Sequence, residues 1–283
     1  VSIETPDGTA DCYFVHPAEG AHAAVLVWPD IFGLRPVFEA MGKRLAESGY
    51  AVLVVNPFYR DAVAPVVDPG ATFQEAGPTV FPLMQSLTPE RVVTDANAFI
   101  GWLDGQDAVD TSRPVGTTGY CMGGPFTMRT AAALPDRVGA AGSFHGGGVA
   151  SEEPDSPLLL VPEMKASFLF AIAANDDAQD PGMKDRLREA YDAAGLDAEF
   201  GGIPRSNTLK VLGYDMFSIG RIEPEVAESV LQAGAADFIS MARKLLADPN
   251  LPNKLAEGRP ADIRPCIYCY SCVSRIFLND HVI

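Results

Sequence analysis

The chain is 283 residues long with 47% hydrophobic, 20% charged and 9% aromatic residues, the make-up of a globular protein with a substantial core. Its formal net charge of −16 disfavours nucleic acid, whose phosphates would be repelled. No apolar run reaches the ~20 residues of a membrane span, and no basic-then-apolar leader opens the sequence, so a cytoplasmic protein with no membrane partner is expected. Five cysteines in no extracellular pattern agree with a reducing compartment.

Charge is unevenly spread. Residues 1–199 hold 12 Lys+Arg against 28 Asp+Glu, whereas the remainder hold 9 of each, so the whole imbalance lies in the first part. Three of the five cysteines fall within seven residues of the second part. This change in composition near Phe200 divides the chain into 1–200 and 201–283.

The first part alternates strands and helices. "AAVLVW" (23–28) and "AVLVV" (51–55) read as buried parallel strands. Between them lies an amphipathic helical stretch closed by Gly49. After "NPFYR" a Pro- and Gly-punctuated loop is expected to about residue 86. Thr88 as N-cap and Pro89 at the first helical position then predict a helix ending at Gly105. Strands follow before Cys121, at "AAGSFH" and at "SFLFAIA", then a helix over "DPGMKDRLREAYDAAG" and a short run "DAEF". This order predicts an α/β protein with a doubly wound sheet, whose active site lies at the carboxyl ends of strands.

Beyond Phe200 two β–α units follow in succession. "TLKVLGYDMFSIG" and "ADFISMA" read as strands, with "EPEVAESVLQAG" and the short "PNKLAEG" as helices. These units are expected to complete the sheet of the first part.

The stretch "GYCMGG" (119–124) carries the chemistry. Cys121 between Gly119 and Gly123, after a strand and before a helix, is how a nucleophile is held on a sharp turn where neighbouring side chains would collide. The N-terminus of the following helix favours thiolate. The loop "WPDIFGLR" is placed to supply an oxyanion N–H from Ile31 beside that of Met122. "SFLFAIA" ends in "NDDAQDP", where an orienting acid belongs.

Together "PDIFG", "NPFYR", "GYCMGG", "SFHGGG" and "NDDAQDP" resemble the dienelactone hydrolase family over residues 1–200. The resemblance implies an α/β-hydrolase fold with a Cys–His–Asp triad that acts on lactones or other activated esters. It makes Cys121 the nucleophile and Asp177 the acid, with Asp176 as the second candidate. Asp30 stands where that family carries a Glu holding the resting thiol. The family's histidine belongs 25 to 30 residues past the acid, but here no histidine follows until His281. His16 and His22 read as surface residues. His145, in "SFHGGG", is read first as a residue lining the site and second as a substitute base. Impaired hydrolysis is therefore expected.

From Ser218 on, "SIGRIEPEVAESVLQAGAADFISMARKLLADPNLPNKLAEGRPADIRPCIYCYSC" resembles the end of the TIM barrel in Old Yellow Enzyme relatives. The similarity is strongest to the iron–sulfur branch with dienoyl-CoA and 2-enoate reductases. In that family late β–α loops hold the phosphate of FMN, and Gly220, Arg221, Ala242 and Arg243 match those positions. Cys266, Cys269 and Cys272, spaced C-x2-C-x2-C, match three of the four thiolates of a 4Fe–4S cluster. A zinc completed by His281 is the other metal that spacing allows. Upstream units of the barrel are missing, so both cofactor motifs are expected to be vestigial and unoccupied. Besides a hydrolase joined to this tail, two readings stand: a reductase fragment dependent on another chain, and a non-catalytic α/β scaffold. The hydrolase reading needs only a small ester or lactone as partner.

Overall fold

The computed structural model describes residues 1–68, 71–203, 217–219, 238–240 and 248–264. The chain forms two compact units, Val1–Tyr214 and Asp215–Ile283. In the first, β1 (Ser2–Thr5) and β2 (Gly8–Asp11) make an antiparallel ribbon. Seven strands build the main sheet: β3 (Tyr13–Val15), β4 (Ala24–Trp28), β5 (Ala51–Val54), β6 (Val115–Tyr120), β7 (Val138–Phe144), β8 (Ser167–Ala173) and β9 (Ala198–Ile203). Their order across the sheet is β3-β5-β4-β6-β7-β8-β9. All pairs are parallel except β3 with β5.

Both faces are covered. The helices are α1 (Pro36–Glu47), α2 (Phe73–Gln85), α3 (Pro89–Asp104), α4 (Gly124–Ala133), α5 (Ala174–Gln179) and α6 (Met183–Ala194). β5 is buried along its whole length, as a Val-rich central strand without alternation requires. Thr88 caps α3 as its sequence predicts, accepting from the Arg91 N–H.

The segment expected to be a loop to residue 86 instead contains α2, with Pro78 and Pro82 inside it. Each internal proline removes a backbone hydrogen bond and disfavours a helix by about 3 kcal/mol, which is why the sequence reads as broken. A capping box between Thr72 and Glu75 and the burial of Ala76 and Val80 offset that cost.

Trp28, 1% exposed at the end of β4, packs edge-on against Phe99 of α3 and Phe126 of α4. Its Nε1–H donates to Thr130 Oγ1 at 3.1 Å. A buried aromatic of this size contributes about 3 kcal/mol, and here it locks α4 against the sheet, directly behind the Cys121 turn.

In the second unit β10 (Phe217–Ile219) and β11 (Phe238–Ser240) pair in parallel, and α7 (Leu251–Ala256) follows. The expectation that these strands complete the main sheet is not met. Among the described residues β10 and β11 form their own two-stranded sheet, and β9 is the last strand of the large one. The run "DAEF" read as short is six residues long because β8 templates it through Ile203. Among the described residues no helix is long and apolar enough to cross a membrane.

Candidate active site

Three neighbouring strands, β6, β7 and β8, deliver Cys121, His145 and Asp176 from their carboxyl ends, and β4 on the other side of β6 delivers Asp30 and Ile31. Cys121 follows Tyr120, the last residue of β6, and starts a 3₁₀ turn, Cys121–Gly123, that leads into α4. Its φ is +52°, left-handed backbone that costs a residue with a Cβ about 1–2 kcal/mol. The flanking glycines are required by space. A Cβ on Gly119 would lie 2.0 Å from the Gly123 carbonyl oxygen, and one on Gly123 would lie 2.5 Å from that of Trp28. The turn can close only because neither residue has a side chain.

The backbone amides of Met122 and Ile31 adjoin the half-buried Cys121 sulfur and favour its charged form. These are the two donors that the sequence picks out for an oxyanion hole. Burial pushes the Cys121 thiol up, the Asp30 charge pushes the same way, and Asp176 adds to it; the two N–H groups pull down without reversing the balance. Burial and the two carboxylates thus oppose the thiolate that the helix terminus alone is expected to favour.

Asp30 is held by its own loop. It is 6% exposed, and its carboxylate is held two-fold by Arg35, with Nη1 donating to Oδ1 at 2.6 Å and Nη2 to Oδ2 at 2.9 Å. The Phe32 N–H also donates to Oδ1, at 3.0 Å. The carboxylate is thus an anion clamped by Arg35 whose charge is still felt at the sulfur. Arg35 itself stacks over Phe32 and Phe38. Sequence reading passed over Arg35; its five-residue spacing from Asp30 across a tight loop was the available signal.

His145 follows β7, again with positive φ, +54°. Its Nδ1 bonds to Asp176 Oδ2, and its backbone N–H donates to the Ala171 carbonyl at 2.8 Å. Of the two acids that sequence reading offers, Asp176 is the one brought to a histidine; the side chain of Asp177 lies outside the described residues. His16 and His22 bond to the backbone carbonyls of Pro17 and Glu19 and are remote in sequence from this cluster. Gly220, Arg221, Ala242, Arg243, Cys266, Cys269, Cys272 and His281 also lie outside the described residues. Among the described residues no group of three His, Cys, Asp or Glu side chains could hold a metal.

Comparison with known proteins divides the chain at the same place as its composition. Residues 10–204 match the dienelactone hydrolase family and residues 204–262 match the NADH:flavin oxidoreductase / NADH oxidase family. A carboxymethylenebutenolidase of Rhodococcus opacus is 26% identical over 190 residues, 66% of this chain and 70% of that protein. A metal reductase of Desulforamulus reducens is 56% identical over 55 residues, which cover 19% of this chain but only 8% of the reductase. In fold, the chain is similar to a dienelactone hydrolase-like promiscuous phosphotriesterase from metagenomic libraries. That match has a TM-score of 0.59 at 19% identity and covers 82% of this chain and 94% of the other.

Proposed function

Because the chain belongs to the dienelactone hydrolase family, we propose that it hydrolyses lactones or other activated esters through Cys121. The observation that carries this reading is the strained strand-to-helix turn that holds Cys121 at φ +52° between Gly119 and Gly123, with the Met122 and Ile31 amides beside the sulfur. Attack of sulfur on a carbonyl carbon places negative charge on the carbonyl oxygen, and two fixed N–H donors stabilise that charge without reorganising. Removing one such donor typically costs about 10²–10³ in kcat. The acyl group then leaves Cys121 by hydrolysis.

Asp30 and Asp176 raise the cost of thiolate at rest, so attack needs a base to receive the thiol proton. The sequence has no histidine between Asp177 and His281. Esters with poor leaving groups should turn over weakly unless a base comes from within the site. The test is hydrolysis of 4-nitrophenyl acetate and of a simple unsaturated lactone by the purified chain and by Cys121→Ala. Loss of both activities in the variant supports the reading, and their survival rejects it.

The match of residues 204–262 supports a separate reading of the tail, as the end of a flavin barrel whose other units this chain does not contain. By that reading Gly220, Arg221, Ala242 and Arg243 retain the phosphate end of an FMN site, and Cys266, Cys269 and Cys272 retain three cluster ligands. No step of the hydrolysis runs through either group.

A further inference from the structure

We infer that His145, held by Asp176, is the base that serves Cys121, so that the proton-transfer pair comes from β7 and β8. The inference rests on the reading of Cys121 as nucleophile.

Placement comes first. Tyr120 and Phe144 are register partners on β6 and β7, so Cys121 and His145 are the next residues on strands about 4.8 Å apart. Both leave their strands at left-handed φ, +52° and +54°. Two bulky side chains in that conformation, side by side, cost about 2–4 kcal/mol together, which folding alone has no need to incur. The chain after His145 is pressed against the start of α4: a Cβ on Gly124 would lie 2.6 Å from Gly146 Cα and 2.6 Å from Ser143 Oγ. The helix that begins beside Cys121 and the loop that begins at His145 are therefore packed backbone to backbone.

Chemistry comes second. Asp176 takes the Nδ1 proton of His145 as a hydrogen bond, which leaves Nε2 as the ring's acceptor. The imidazole is 28% and the carboxylate 17% exposed, so the pair is neither sealed in the core nor free in solvent. No hydrogen bond joins His145 to the sulfur in this state, where the sulfur rests near the Met122 and Ile31 amides. A substrate carbonyl entering that hole displaces the sulfur from it and turns it toward the neighbouring strand.

The steps balance as follows. The thiol proton moves to His145 Nε2 as the S–C bond forms and the carbonyl becomes an oxyanion. That proton passes to the alkoxide oxygen as the C–O bond breaks, leaving a thioester on Cys121. Water then gives a proton to Nε2 and attacks the thioester; the sulfur leaves and recovers the proton. Asp176 is a positioning residue throughout.

The experiment compares phenyl acetate with 4-nitrophenyl acetate, whose leaving group needs little protonation, using the full chain. Acylation of Cys121 is followed by mass spectrometry and turnover by product release. His145→Gln should slow acylation by phenyl acetate about 10²-fold or more and by the nitrophenyl ester markedly less, with KM little changed. Asp176→Asn should show the same leaving-group bias, more weakly, with the rising limb of its pH profile displaced. Iodoacetamide labelling of Cys121 while the buried Cys12 stays protected certifies that each variant is folded. Equal, small effects on both esters in His145→Gln, with Cys121→Ala inactive, would overturn this inference and leave the proposed function standing. A wild-type chain that neither acylates nor turns over either ester would overturn both.

Discussion

Cys121 and His145 occupy matching positions on neighbouring parallel strands, each one residue past the Tyr120–Phe144 register pair and each at left-handed φ. Adjacent strands rarely end in two such residues, because only glycine enters this conformation without penalty. Their coincidence at the carboxyl edge of the sheet, beside the only carboxylate seen to hold a histidine among the described residues, is what singles out this corner of the molecule.

Selective alkylation follows from the two described cysteines. Burial pushes the Cys12 thiol up to about 12, and Cys121, also raised, is half-buried beside two N–H donors. Iodoacetamide should label Cys121 stoichiometrically before Cys12. Because the folded-state value lies above the ordinary one, the labelling rate should still be climbing at pH 9 and show no neutral plateau. Peptide mapping across a pH series measures both.

Asp30→Asn should make Cys121 more reactive. The substitution removes the charge that most opposes the thiolate and leaves the Arg35 guanidinium nearby, so both changes lower the thiol's proton affinity. Labelling at pH 8 should speed up several-fold. An unchanged or slower rate would mean that Asp30 acts on the sulfur by some route other than its charge.

Asp95 should matter more to stability than any surface acid. It is 1% exposed and accepts from Tyr59 Oη at 2.7 Å and from both Arg60 terminal nitrogens at 2.9 and 2.7 Å. Asp95→Ala leaves a nearly buried guanidinium short of its partner and should cost about 3 kcal/mol. Asp7→Ala breaks the other Arg60 contact, but that carboxylate is 42% exposed, and the loss should stay below about 1 kcal/mol. Urea midpoints at unchanged slope compare the two.

Purified protein should carry no stoichiometric FMN and at most weakly held iron. Residues 1–283 match only the phosphate end of an FMN site and three of the four thiolates of a cubane, which by themselves give either group little to bind. Visible absorbance and iron analysis decide this. One flavin per chain, or four irons after anaerobic reconstitution, would promote the reductase reading of the tail.

Much of the fold is legible along the chain because its signals are local. The apolar runs of β4, β5 and β8, Thr88 before Pro89 in α3, and small residues around Cys121 each obey rules spanning a few positions. The α2 segment escaped because its two prolines are local evidence against a helix, while the burial of Ala76 and Val80 that supports it is tertiary.

By itself the sequence determined the kind of sheet, the glycine-flanked turn at Cys121, the absence of a histidine between Asp177 and His281, and the change of relationship near Phe200. Only the tertiary structure decided that Asp176 meets His145 across 31 residues, that Arg35 claims both oxygens of Asp30, and that burial and nearby carboxylates push the Cys121 thiol up. The reason is physical. Backbone conformation is governed by neighbours in sequence, but the charge state of a thiol and the partner of an imidazole depend on distances across strands. Those distances are set by register and by the packing of Gly124 against Gly146, which no local pattern encodes.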